Sequence, residues 1–165
     1  MWQTSAFQLD VGAGLTAQAE SSKAMHVSLE DFEGAWVLER RIVHDGAPDA
    51  QFRGSARFRS HGDGLVYEEK GLLKIEGHRA TTAQRSYLWR AGQGEQIEVL
   101  FDDGRPFHVI DPKAPQDTHF CDPDTYEVAY KFGGWPDWIS TWKVSGPKKA
   151  YQMVSTYRRP VEGID

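Results

Sequence analysis

The chain has a single cysteine, Cys121. No internal disulfide framework can therefore staple the fold, and a reducing compartment is expected. Long apolar runs are also missing: none approaches the roughly 20 residues of a membrane-spanning helix. Positive charge is scarce, with 19 Lys and Arg against 24 Asp and Glu and a net charge of -5. No basic field is available for a phosphate backbone, so no nucleic-acid partner is expected. Met1-Trp2-Gln3-Thr4-Ser5 lacks a basic n-region, and no signal-peptide core follows it; a cytoplasmic location is the expectation. Apolar and aromatic residues are plentiful, at 39% and 12% with six Trp, which marks a globular rather than a disordered chain. A length of 165 residues fits one domain with a sizeable core.

Residues 1–24 are rich in Ala, Gly, Ser, Thr and Gln without a sustained period, and read as an extension or arm. The patterned domain spans 25–162. Ser28-Leu29-Glu30-Asp31-Phe32 has an N-cap Ser with acidic residues in the first turn, so a short helix is expected there. From Trp36 the period is two. Inner faces are read at Trp36, Leu38 and Ile42; at Phe52, Gly54, Ala56 and Phe58; at Leu65, Tyr67, Glu69, Gly71, Leu73 and Ile75; and at Arg85, Tyr87 and Trp89. Further strands are expected at 97–101, 107–109, about 119–132, 138–145 and 151–159, with turn residues such as His61-Gly62-Asp63-Gly64 and Asp102-Asp103-Gly104-Arg105 in the gaps. The total is about nine strands. Hairpin-length turns favour an all-β, closed up-and-down antiparallel barrel with a short N-terminal helix; a two-sheet sandwich is the alternative.

Gly34-x-Trp36 after a short helix, with Arg159 or Arg158 at the end of the last strand, resembles the lipocalin-like (calycin) superfamily. The resemblance implies that Trp36 closes the barrel floor and that the terminal Arg lies over its ring, where cation–π attraction holds it. A narrower resemblance covers residues 29–159. It is carried by Phe32-Glu33-Gly34-Ala35-Trp36, Phe52-Arg53-Gly54-x-Ala56-x-Phe58, Tyr67-x-Glu69-x-Gly71 and Arg85-x-Tyr87-x-Trp89. It continues through Phe101-x-Asp103-Gly104-Arg105-Pro106-Phe107-His108, His119-x-Cys121-x-x-Asp124-x-Tyr126, Trp142-x-Val144-x-Gly146-Pro147-x-Lys149 and Thr156-Tyr157-x-Arg159. These motifs are similar to an uncharacterised lipocalin-like family of bacteria and fungi, some of whose members carry a trigger-factor name. The chain is too short for such a chaperone, and Phe52-Arg53-Gly54 continues into Ser55-Ala56 rather than a basic ribosome-docking loop. A haem barrel of the nitrobindin type is disfavoured, because Val37-Leu38-Glu39-Arg40 stands where that type has a glycine-rich repeat.

Two groups of residues could carry chemistry. The first is His108, His119, Cys121, Asp124 and Tyr126. Read as catalytic, Cys121 is a nucleophile, His108 or His119 its base and Asp124 an orienter. Same-face residues on one strand stand about 6–7 Å apart, which makes His108 the better base. Zinc ligation by His108, His119, Cys121 and Asp124 suits the ligand types, but His-x-Cys spacing alone does not specify it. The structural alternative is a buried core thiol and a histidine bonded to the corner at Pro123.

The second group is Glu69, Arg85 and Arg40, with Tyr67, Tyr87 and Trp89 beside them. Parity sends Glu69 and Arg85 inward, where they must pair with each other or with a ligand. That is either a polar anchor in an aromatic pocket or a structural ion pair filling a narrow barrel. Gly133-Gly134-Trp135-Pro136-Asp137-Trp138 is expected as a turn forming an aromatic lip over the mouth. The stripe Arg53, Arg57, Arg59 reads as a solvated outer face. The leading expectation is a barrel binding an unidentified small molecule, with no cofactor, no metal and no membrane; a homodimer is left open. The alternative is an enzyme on the same barrel, using the His/Cys/Asp/Tyr cluster for acid–base or hydrolytic chemistry.

Overall fold

The structure, a computed structural model, describes residues 26–161. The expected extension at 1–24 lies outside them. The domain opens with a single-turn 3-10 helix at Leu29–Phe32, started by the Ser28 N–H donating to the Asp31 carboxylate at 2.9 Å. Ten strands follow: β1 (Gly34–His44), β2 (Ala50–His61), β3 (Gly64–Ile75), β4 (Thr81–Ala91), β5 (Ile97–Phe101), β6 (Pro106–Ile110), β7 (Gln116–Cys121), β8 (Asp124–Lys131), β9 (Trp138–Ser145) and β10 (Ala150–Arg158). All pair antiparallel in the order β6-β5-β4-β3-β2-β1-β10-β9-β8-β7. The sheet is thus the expected up-and-down barrel, closed by β1 against β10 and left with one seam between β6 and β7. Among the described residues no helix is long and apolar enough to cross a membrane.

The strand count is ten rather than nine because the run read as 119–132 is a hairpin. Asp122-Pro123 turns the chain back, and β7 pairs with β8 with His119 opposite Tyr126 and Cys121 opposite Asp124. At the seam β6 and β7 share no ladder. The Asp117 carboxylate instead accepts the Val109 N–H at 2.8 Å, and the Phe107 ring packs on His119 at 5.5 Å.

One end of the barrel is closed. Phe32, from the 3-10 turn, is fully buried and meets Phe58, Trp89, Trp135 and Trp138 at centroid distances of 5.1–5.6 Å. The Trp36 indole donates to the Phe32 carbonyl at 2.8 Å, and the Arg159 guanidinium lies 3.8 Å over the Trp36 ring. That guanidinium also donates to the carbonyls of Asp31, Glu33 and Ala35 at 2.9–3.0 Å, satisfying backbone groups the short helix leaves open. Arg159, not Arg158, therefore sits at the floor. Gly34 adopts φ +110°, and a Cβ there would meet Arg159 Nη1 at 2.9 Å. The Gly133–Asp137 turn belongs to this end too. Trp135 packs on Phe32 and Trp36, and Trp138 is buried, so the expected lip caps the floor instead of the mouth.

Opposite each other on β2 and β3, Gly54 and Gly71 let two strands approach where the barrel coils most tightly. A Cβ on Gly54 would stand 2.1 Å from the Lys70 carbonyl oxygen, and one on Gly71 2.2 Å from that of Arg53. Gly54→Ala should therefore lose about 1–3 kcal/mol in urea denaturation. Gly133→Ala, where a Cβ meets nothing within 4 Å, should stay within about 0.5 kcal/mol. Equal stability of the two variants would contradict this reading.

Candidate functional site

Inner-face side chains become more exposed toward the end opposite Trp36. On β1 Trp36, Leu38 and Arg40 are buried while Ile42 and His44 are half-buried; on β4 Trp89 is buried, Tyr87 half-buried and Arg85 exposed. The barrel is a cup with its mouth at that end.

Midway along the cup lies a buried ion pair. Arg40 Nη1 and Nη2 donate to Glu69 Oε1 and Oε2, both at 2.7 Å, in a bidentate fork. Arg40 Nε donates to Ser155 Oγ at 2.7 Å. The Tyr67 hydroxyl donates to Glu69 Oε2 and accepts from the Tyr157 hydroxyl at 2.9 Å. Burial would raise the Glu69 carboxyl, but the Arg40 hydrogen bonds and charge, with the Tyr67 bond, hold it below the usual range. Burial opposes the Arg40 charge as well, and Glu69 outweighs it, so the guanidinium stays protonated. Tyr67 and Tyr157 are pushed up by burial and keep their protons.

The register explains the partner choice. Glu69 stands opposite Arg85 on β4, as sequence parity allows, yet Arg85 leans out at the mouth. Arg40 is aligned with Phe52, and Glu69 with Ala56; the residue between them on β2 is Gly54, beside Gly71. These glycines put no side chain between the two charges. Ser155 and Tyr157 were missed by sequence reasoning. Their signal was parity with Arg159, which puts a serine on an otherwise apolar inner face.

Against this layer lies a cavity of about 20 Å³, lined by Arg40, Glu69, Arg85, Tyr87, Trp138, Ser140 and Trp142 among others. That is room for about one water. Aromatic packing fills the rest of the interior at this level, so the roomy lumen implied by a carrier reading is absent. Trp138 Nε1 is buried with no hydrogen-bond partner. Trp142 Nε1, close to the Tyr130 hydroxyl but without hydrogen-bond geometry to it, is also unpartnered. Above the cavity Tyr87, Phe107, Tyr126, Trp142 and His119 form a ring-lined rim, with Phe107 5.2 Å from Trp142 and 5.4 Å from Tyr126.

The His/Cys/Asp/Tyr cluster is gathered by the β7–β8 hairpin at the mouth, but its members have separate neighbours. Asp124 is buried and takes an ion pair from Lys149 at 3.1 Å. Cys121 is half-buried, and no hydrogen bond joins it to His108 or His119. His108 is buried, with Nε2 2.8 Å from the Tyr130 hydroxyl and Nδ1 unpartnered. Burial first, and then the nearby His119, pushes His108 down to about 3, so it is neutral near pH 7. Among the described residues no three His, Cys, Asp or Glu side chains gather to hold a metal ion.

A family model described as a family of unknown function (DUF6314) matches residues 32–159. No curated protein matches the chain. Among solved structures it is similar to the S-type phycobiliprotein lyase CPES from Guillardia theta, with a TM-score of 0.61 and 11% identity over 86% of this chain and 98% of that one. At that identity the likeness is one of fold.

Two outcomes are expected from the electrostatics. Glu69→Gln leaves the buried Arg40 charge uncompensated and should lose about 3–5 kcal/mol in urea denaturation, while Arg40→Met with Glu69→Leu should recover most of it. A single variant as stable as the parent would refute the pairing argument. His108 is neutral when folded but titrates near 6.5 when unfolded. Its contribution is therefore fully present above pH 6.5 and is lost as pH falls toward 3, at up to about 1.4 kcal/mol per pH unit. His108→Gln should flatten the stability profile between pH 6.5 and 4.5; an unchanged slope would show that other groups set it.

Proposed function

The chain belongs to the DUF6314 family of unknown function, and we propose that it is a small-molecule-binding barrel loaded through its open end. The observation that carries this reading is the arrangement at the mouth. Half-buried inward rings at Tyr87, Tyr126 and Trp142 stand over a water-sized cavity beside which a buried indole N–H has no partner. Apolar walls around a few convergent polar groups are the usual anatomy of a ligand site. Tyr67, Glu69 and Arg40 set the base of this pocket, Trp89 backs it, and Arg85 with Tyr87 lines its approach. The alternative use of His108, His119, Cys121, Asp124 and Tyr126 as catalytic groups is less favoured, because Cys121 has no base hydrogen-bonded to it and Asp124 is committed to Lys149. The similar barrel from Guillardia theta is named as a phycobiliprotein lyase; it lends support for the architecture, not for a shared reaction. A single unpaired cysteine and an acidic surface accord with a cytoplasmic site of action.

The test is native mass spectrometry of the full chain purified from its own host, followed by thermal-shift screening of the recovered compound. A retained small molecule is expected, with affinity falling about tenfold or more in Tyr87→Ala. The reading is overturned if the protein emerges empty and no metabolite fraction from the host raises its melting temperature.

A further inference from the structure

We propose that the ligand of this barrel carries a carboxylate, with one of its oxygens seated in the small cavity beneath the rim and its apolar body held among the rim rings. This rests on the binding reading above and adds the ligand's chemical class to it.

Three observations converge. The first is size. A cavity of about 20 Å³ accepts one water-sized group and nothing larger. Whatever occupies it must be a single atom at the tip of a molecule whose remainder lies higher, between Tyr87, Phe107, Tyr126 and Trp142. The second is hydrogen-bond polarity. Trp138 is 1% exposed and its indole N–H has no partner, and Trp142 Nε1, near the Tyr130 hydroxyl, also lacks hydrogen-bond geometry to a partner. An indole nitrogen is only a donor. The Glu69 carboxylate already accepts from Arg40 on both oxygens and from Tyr67 on Oε2. The wall therefore offers indole donors beside hydroxyls of Ser140, Tyr87 and Tyr130, which can turn to donate as well as accept. Leaving such a donor buried and unmet costs about 1–3 kcal/mol, which an incoming acceptor recovers.

The third is charge. The ionised groups lining the cavity are Arg40, Arg85 and Glu69, two cations against one anion. The four tyrosines around it, Tyr67, Tyr87, Tyr130 and Tyr157, are all pushed up by burial and add no negative charge. Asp124, from the hairpin at the mouth, has its carboxylate covered by Lys149. Arg85 is exposed on β4 two residues before Tyr87, placed to meet the second oxygen of a carboxylate whose first has passed the rim. An ammonium could use the hydroxyl oxygens but would meet surplus positive charge from Arg40 and Arg85. A neutral alcohol could use the indoles but would gain nothing from Arg85.

The test uses three matched probes on the full chain: benzoate, benzyl alcohol and benzylamine. Binding is followed by titration of the ¹⁵N-labelled tryptophan indole N–H signals, assigned with Trp138→Phe and Trp142→Phe. Benzoate is expected to bind at least tenfold more tightly than benzyl alcohol, with benzylamine weakest, and to move the Trp138 indole proton downfield. Arg85→Gln alters an exposed residue, so the fold should survive. It should shrink the benzoate-to-alcohol preference about tenfold. Equal affinity for the three probes, or an unmoved Trp138 signal on saturation with benzoate, overturns the carboxylate assignment while leaving the binding barrel standing. If none of the probes binds, the assignment also falls, and the host-derived compound of the preceding experiment then decides separately whether the barrel binds anything.

Discussion

A guanidinium cannot shed its charge, and Arg40 holds one in the middle of a barrel. Much of the interior follows from that constraint. The fork to Glu69 neutralises it, Ser155 accepts the Nε N–H, and Tyr67, itself bonded to Tyr157, donates to Glu69 Oε2. Four strands are not merely adjacent here but tied: β1, β3 and β10 supply the groups, and β2 supplies the gap at Gly54 through which they meet. Apolar residues could fill such a layer with equal or greater stability. Retaining ions there instead gives the adjoining space a polar, positively biased base.

That layer divides two differently built halves. Below it Phe32, Trp36, Trp89, Trp135 and Trp138 pack edge to face, and Arg159 seals the backbone of the 3-10 turn. Above it the rings are half-exposed and the polar groups are incompletely matched. The lower half has the features of structure, and the upper half is where the proposed binding function would sit on an otherwise generic fold.

The sequence was legible wherever chemistry is local. Period-two alternation and turn residues indicated the barrel, the resemblance carried by Gly34-x-Trp36 indicated its floor, and parity put Glu69, Tyr67, Arg85 and Trp89 inside with Arg40 named beside them. Parity reports a face, however, and not a height. The stagger of a closed barrel decides which inward groups meet, and so Glu69 met Arg40 across two glycines rather than Arg85 beside it. The other miss has a topological cause. Reading 119–132 as one strand, because Pro123 alone does not announce a hairpin, removes one reversal of the chain. Every later turn then lands at the wrong end, and Trp135 is sent to the mouth when it belongs to the floor.

The seam between β6 and β7 is the weakest joint in the wall. Everywhere else around the circumference, strands are joined by ladders of backbone bonds; here closure rests on a carboxylate, Asp117, and on ring contact between Phe107 and His119. A hoop under internal pressure parts at its weakest joint. Phe107 and His119 are also rim residues, so the joint and the doorway share side chains. Swelling of the cup as a guest enters would be taken up as a slit along one wall, leaving the floor and the ion layer undisturbed.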